Sequence, residues 1–441
     1  MAASLFDSPL HAQLFPTGET GRLFSDTAAI RAMLLVEGAL AQVQGAQGVI
    51  PELSAAAIHR AAMEVQIDPG ALAEPTGQNG VSVPGLVAAF RAEMKAPEHA
   101  QYVHWGATSQ DIIDTGLMLR LRQSLALAEA DLRALIRTLG LQAAEHASTP
   151  MPARTYGQHA TPTTWGAVLA GFGAPLMDAL AELDDLRARS LWVSLSGAAG
   201  TGNALGPEAA KTRAALAKAL GLTDPGRSWH TDRAPVLRIV DWQGRVIAAL
   251  AHLGQTIMGL CATDVAEVAL ATAGASSTMP QKQNPVAASA LVALGHHATG
   301  LQATLRAAAP HQHQRDAGAW FAEWLSLPQL ALSLAAALAH GRALAEGVMP
   351  HPVQMHAHLE AHMGLIHAEA LSFALARILP RPEAQQTTKV LCQEAMKQNV
   401  PLETLARRDY PDLPADLFDP AANLGEALAD AQAFAARAAA L

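Results

Sequence analysis

Six apolar residues, Ile239, Val246, Leu250, Leu253, Ile257 and Leu260, recur at separations of 7, 4, 3, 4 and 3 residues. That is the a/d beat of a helix buried along one seam for about three heptads. A strand cannot use it, because strand side chains change face at every residue. Asp111 to Ala147 reads as one very long helix, and helical patterns follow near 164–190, 207–221, 235–270, 285–308 and 320–346. Helices this long exceed the usual globular range and pack as a bundle. Ala and Leu dominate, both strong helix formers, while aromatics make up only 4%. The chain is therefore expected to be all-α. The stripe runs on to Asp264 and Glu267. Acids on a seam must be solvated or paired, so apolar packing should stop there.

Charge and cysteine content narrow the function. The formal net charge is −9 and no Lys/Arg block occurs, which argues against a nucleic-acid partner. Two cysteines, Cys261 and Cys392, cannot build a disulfide framework and suit a reducing cytoplasm. The start "MAASLFDSPLHAQLF" has no basic region followed by an apolar run, so no signal peptide is expected. Apolar runs such as "LALSLAAALAHGRALA" are broken before a bilayer's span of about 20 residues, which predicts buried core helices and no membrane. Punctuation by Pro and Gly divides the chain into 1–106, 107–350 and 351–441.

Several polar stretches interrupt the helices. "SGAAGTGNALG" (196–206) after "LWVSL" suggests a dinucleotide fingerprint, but that needs alternating strands and helices, and none are legible. A flexible glycine loop is the better reading. His358 and His362 are four apart, as in a zinc helix, yet Leu359 stands where a protease places Glu. A solvated histidine face explains them as well, and "HQHQRD" (311–316) has the same ambiguity, so no metal is expected. "HWGATSQDIIDT" (104–115) sets Thr108 and Ser109 before the long helix, where one could be the N-cap. Asp111 and Asp114 would then favour the positive end of the dipole. Such a helix start also binds anions. "RTYGQHATPTTWG" (154–166) places Gln158 and His159 before another helix. "SSTMPQKQNP" (276–285) breaks the helical pattern with two prolines, so it is a loop. Its Ser276, Lys282 and Asn284 can neutralise and hydrogen-bond a carboxylate gaining charge. All three clusters abut long helices, whose packing could bring them together within one chain or between copies.

Together these clusters resemble the fumarase/aspartase superfamily. "SSTMPQKQNP" is similar to its signature loop, Ser-Ser-x-Met-Pro-x-Lys-x-Asn-Pro, and the other two clusters are similar to its first and second shared regions. Within it, "YVHWGATSQDIIDT", "VSVPGLV" and "GAWFAEWLSLP" (318–328) resemble most the bacterial cycloisomerase family. Superfamily lyases usually carry His where Tyr156 stands; the cycloisomerases carry an aromatic there, usually Trp, and a His in Gln-His-Ala-Thr-Pro, as here. "TGQNGVSVPG" lacks the His of adenylosuccinate lyases, against a purine nucleotide substrate.

The resemblance implies a small N-terminal domain, a central bundle forming a homotetrameric core, a C-terminal helical domain, and sites shared between subunits. It implies a tricarboxylate substrate, lactonisation of 3-carboxy-cis,cis-muconate in the protocatechuate branch of the β-ketoadipate pathway, and no cofactor. By resemblance Ser276 handles the proton α to a carboxylate, with His159 the other candidate. Lys282 and Asn284 hold the carboxylate that becomes the aci-acid, and Thr108 and Ser109 bind another; His104, Gln158 and Arg315 assist. One departure is Ala275, where the family loop is richer in glycine, implying slower loop closure. Two other readings stay open: a lyase of the superfamily releasing fumarate, and a non-catalytic helical assembly.

Overall fold

The structure, a computed structural model, describes residues 4–275, 278–279 and 281–441. The long helices are present. We label α1 (Asp26–Ala46), α2 (Ser109–Glu145), α3 (Trp165–Ala181), α4 (Ala234–Leu260), α5 (Val286–Ala308), α6 (Ala317–Gly347) and α7 (Pro352–Glu360). All six residues of the α4 seam are buried, at 5% exposure or less. Each burial of this kind stabilises by about 1.5–3 kcal/mol.

The helix stops at Leu260, seven residues before the sequence stripe ends at Glu267. After Leu260 the chain turns, with Ala266 at a left-handed φ of 51°, and the Glu267 N–H donates to Leu260 O at 2.9 Å. Asp264 therefore lies beyond the seam, whereas Glu267 is fully buried and paired. α6 is also less interrupted than its sequence suggests. It runs unbroken through Ser, His and Arg, and is long and apolar enough to cross a bilayer, as is Trp165–Ser190; 56% of each apolar window is buried inside the protein.

Strands are few. β1 (Pro150–Thr155) pairs antiparallel with β2 (Gln158–Thr164), β3 (Val268–Leu270) with β6 (Val348–Pro350), and β4 (Gly274–Ala275) with β5 (Gln283–Asn284). "LWVSL" is no strand beyond one bridge, Trp192 to Thr223. Among the described residues the parallel sheet a dinucleotide fold needs is absent.

The chain gathers into two compact units. The first comprises Met1–Asp131, Ala179–Ala248 and Ala293–Ala339; the second comprises Leu132–Asp178, Ala249–Val292 and His340–Leu441. In the first, the Ser25 hydroxyl caps α1 by accepting from the Ala28 N–H at 3.2 Å. Val36 and Leu34 of α1 then pack with Ile58, Leu86, Phe90 and Ile112. In the second, Leu371, Leu375, Leu391, Leu402 and Leu405 form a core made wholly of residues from the C-terminal segment.

Candidate active site

In the first unit the segment before α2 is shaped by backbone demands. His104 and Gly106 both adopt left-handed φ, 65° and 76°. A Cβ on Gly106 would lie 2.7 Å from Leu205 Cδ2 and 3.0 Å from Ala204 O, so only glycine fits. His104 Nδ1 lies 2.6 Å from the buried Glu37 carboxylate. Burial works against the imidazolium, but the hydrogen bond and charge of Glu37 outweigh it and raise the pKa above the ordinary histidine value.

At the helix start, Asp111 is fully buried and its carboxylate is an acceptor hub. It accepts from the N–H groups of Thr108 (3.1 Å), Ser196 (2.9 Å) and Gly197 (2.9 Å) and from the Ser194 hydroxyl (3.0 Å), with His230 Nε2 at 2.8 Å. Asp111 therefore does more than favour a dipole: it pins the start of the glycine loop, which the sequence reads as flexible. Arg315 is drawn in beside it. Its Nη2 donates to Thr108 Oγ1 (3.0 Å) and Ala198 O (3.2 Å), and its Nε to Gln110 Oε1 (3.0 Å). The Thr108 hydroxyl thus accepts from Arg315. A partly exposed guanidinium, two hydroxyls and a helix N-terminus together are groups that can receive an anion.

Behind these groups lies a buried ion network. Arg233 bonds the Asp114 carboxylate at 2.8 and 3.1 Å and the Glu323 carboxylate at 2.9 and 2.6 Å. Burial opposes its charge, but the two carboxylates more than offset this and the guanidinium holds its proton more tightly than an ordinary arginine.

The second unit presents the other candidates. Tyr156 and Gly157, at φ 52° and 75°, make the two-residue turn that pairs β1 with β2 and sets Arg154 opposite His159. Tyr156 is fully exposed. The buried Glu267 carboxylate receives Arg154 through two bonds, 2.7 and 2.5 Å, and lies 2.6 Å from His358 Nδ1. Arg154 Nη2 is 3.4 Å from His159 Nε2; an arginine only donates, so that nitrogen accepts. The His159 ring lies 5.9 Å from that of His358 and 5.8 Å from that of His362. Burial first, then the charges of Arg154 and His358, lower the His159 pKa, partly countered by Glu267, which favours the neutral imidazole. Gln158 and His159 line a cavity of about 400 Å³ with His362, Met363 and Met396.

His358 and His362 do not share a helix face as their spacing suggests. α7 ends at Glu360, and His362 and Met363 both take left-handed φ of 56°. His358 is occupied at both nitrogens, Nδ1 by Glu267 and Nε2 by Gln354 at 2.9 Å. Among the described residues no group of three or more His, Cys, Asp or Glu side chains could hold a metal.

At the signature segment, Gly274 pairs with Asn284 and Ala275 with Gln283. The Lys282 N–H donates to Met279 O at 3.0 Å, and the Lys282 side chain is exposed. Ser276 lies outside the described residues. The structure thus brings Thr108 and Arg315 together beside Ser109 in the first unit, with His104 on the same segment, while Gln158, His159, Lys282 and Asn284 belong to the second unit. Sequence reasoning did not find Arg233 or Glu323, whose partners are 119 and 90 residues apart in sequence. Only the shared motif "GAWFAEWLSLP" pointed near Glu323.

An all-α chain of long helices, with hydroxyls and Arg315 at one helix start and a segment carrying Lys282 and Asn284, fits a lyase-type class of enzyme. A family model described as "Lyase" matches residues 19–300. The chain is 40% identical to 3-carboxy-cis,cis-muconate cycloisomerase of Pseudomonas aeruginosa, covering 97% of this chain and 95% of that protein. It is 38% identical to the Pseudomonas putida protein of the same name, covering 95% and 99%. The crystal structure of 3-carboxy-cis,cis-muconate lactonizing enzyme from Pseudomonas putida superposes with a TM-score of 0.90 at 36% identity, over 98% of this chain and 99% of that one. The chain belongs to this lyase family, the fumarase/aspartase superfamily, and is an enzyme of it.

Proposed function

We propose that this chain lactonises 3-carboxy-cis,cis-muconate to 4-carboxymuconolactone, in the protocatechuate branch of the β-ketoadipate pathway. The reading rests chiefly on likeness over 97% of the chain to a relative of that activity. It is a soluble, cytoplasmic enzyme working as a homotetramer, each site drawing segments from more than one subunit. Its domains run 1–106, 107–350 and 351–441.

The nucleophile is already in the substrate. One carboxylate oxygen forms a C–O bond to an alkene carbon, and the displaced π electrons take a proton at the carbon α to another carboxylate. The protein must fold a flexible triacid into the reactive shape, stabilise the aci-carboxylate and deliver one proton. Thr108, Ser109 and Arg315 bind one carboxylate at the helix start, with His104 shaping the segment. Lys282 and Asn284 hold the carboxylate that becomes the aci-acid, and Gln158 orients the substrate. The lowered pKa of His159 favours its neutral form, which makes Ser276 the donor to carbon in this reading, with His159 the second proton-transfer group.

The test is turnover of 3-carboxy-cis,cis-muconate followed by loss of ultraviolet absorbance, with fumarate measured in parallel. Lactone without fumarate supports the reading. Fumarate release from a succinyl amine with no lactone formation overturns it in favour of a lyase.

A further inference from the structure

The first unit holds a second cavity, of about 290 Å³, between α1, α2 and α6. Its wall is mostly apolar: Met33, Ile113, Leu117, Trp324, Leu327 and Pro328. One strong cation faces it. Arg120 lines the cavity, its Nε is buried, and among the described residues that N–H has no acceptor. Among the described residues the guanidinium is otherwise held by a long contact from Nη1 to Leu23 O, 3.5 Å, and by the Phe24 ring, 5.7 Å from Cζ.

The orphan donor is unusual because nearby groups could have neutralised it. Glu323 lines the same cavity, but both its oxygens are taken by Arg233. Asp26 is exposed at the rim and only attracts Arg120 at a distance. Burial pushes the Arg120 guanidinium down to about 10, against that attraction, so it stays charged at pH 7 without a bonded counterion. A buried charged group with so few acceptors is costly, and a ligand oxygen on the guanidinium lowers that cost.

We propose that this cavity is a binding site for a small carboxylate with a flat apolar body, such as an aryl-alkanoate, whose carboxylate accepts from the Arg120 guanidinium and whose ring packs against Trp324 and Leu117. A free inorganic anion would leave the apolar wall wet, and a neutral arene would leave Arg120 unsatisfied; only a ligand with both parts answers both features. The site lies along α2 from the Thr108–Ser109 helix start, is lined by none of the residues assigned to lactonisation, and stands whether or not that assignment holds.

The test is isothermal titration of the intact enzyme with 3-phenylpropionate, 3-phenylpropionamide and acetate. Saturable binding of the acid, at least tenfold tighter than the amide and than acetate, is expected. Arg120→Met should weaken the acid at least tenfold and leave the amide unchanged. Ala29→Phe, which fills the cavity while keeping Arg120, should abolish binding of both aryl ligands and decides the matter if Arg120→Met fails to fold. Equal binding of acid and amide, unchanged binding in folded Arg120→Met or in Ala29→Phe, or no saturable binding of the acid by the wild-type enzyme overturns the proposal.

Discussion

At the scale of single residues, three expectations separate roles. Ser276→Ala should lower kcat by at least 100-fold, about 2.7 kcal/mol of transition-state stabilisation, with the oligomer intact by size-exclusion chromatography. Retention of more than about a tenth of wild-type kcat, a loss under roughly 1.4 kcal/mol, contradicts its role. The pH profile discriminates between Ser276 and His159. With a lowered pKa and a required neutral form, His159 gives a kcat/KM that rises with pH to a plateau, its midpoint below the ordinary histidine value of 6.5. A fall of kcat/KM through the same range would instead make the His159 imidazolium the proton donor. Asp111→Asn replaces a buried carboxylate accepting from several donors by an amide that must turn an NH2 toward some of them; it should cost on the order of 3 kcal/mol, read by chemical denaturation at fixed protein concentration. The signature loop is legible residue by residue because ten consecutive positions carry it. Arg233 is illegible because its meaning depends on Asp114 and Glu323, brought to it by packing and not by sequence spacing.

At the scale of elements, helix existence reads well from periodicity, and helix ends do not. The α4 stripe continues in sequence to Glu267, yet the chain leaves the helix at Leu260, and Glu267 is buried for its partners Arg154 and His358. The sequence reading allowed for a paired acid but could not name the pair, since Arg154 lies 113 residues away. The segment before α2 is a further case. Its glycine and histidine look like a polar cluster in sequence; their left-handed backbone and the Glu37 contact appear only in three dimensions. His104 has a raised pKa in the fold, so its contribution to stability is fully present below the unfolded value of about 6.5 and is lost as pH rises through the higher folded value. The difference in melting midpoint between wild type and His104→Gln should therefore shrink as pH rises from 6 to 9. A difference that grows over that range would mean Glu37 does not stabilise the imidazolium.

At the scale of the whole molecule, the candidate groups are divided between two structural units: Thr108, Ser109 and Arg315 in one, His159, Lys282 and Asn284 in the other. In the proposed function a single small triacid meets both sets, and the central claim is that it does so where helices of different copies associate. Closed homo-oligomers allow that claim to be tested by mixing defective subunits. Thr108→Ala and Ser276→Ala homo-oligomers, each inactive alone, are dissociated together and reassembled at equal amounts, and lactone formation is measured with mixed species verified by native mass spectrometry. If sites take Thr108 from one subunit and Ser276 from another, random assembly leaves about a quarter of sites with both groups intact, and about a quarter of wild-type activity should return. Verified hybrids that remain inactive would contradict a site shared between subunits.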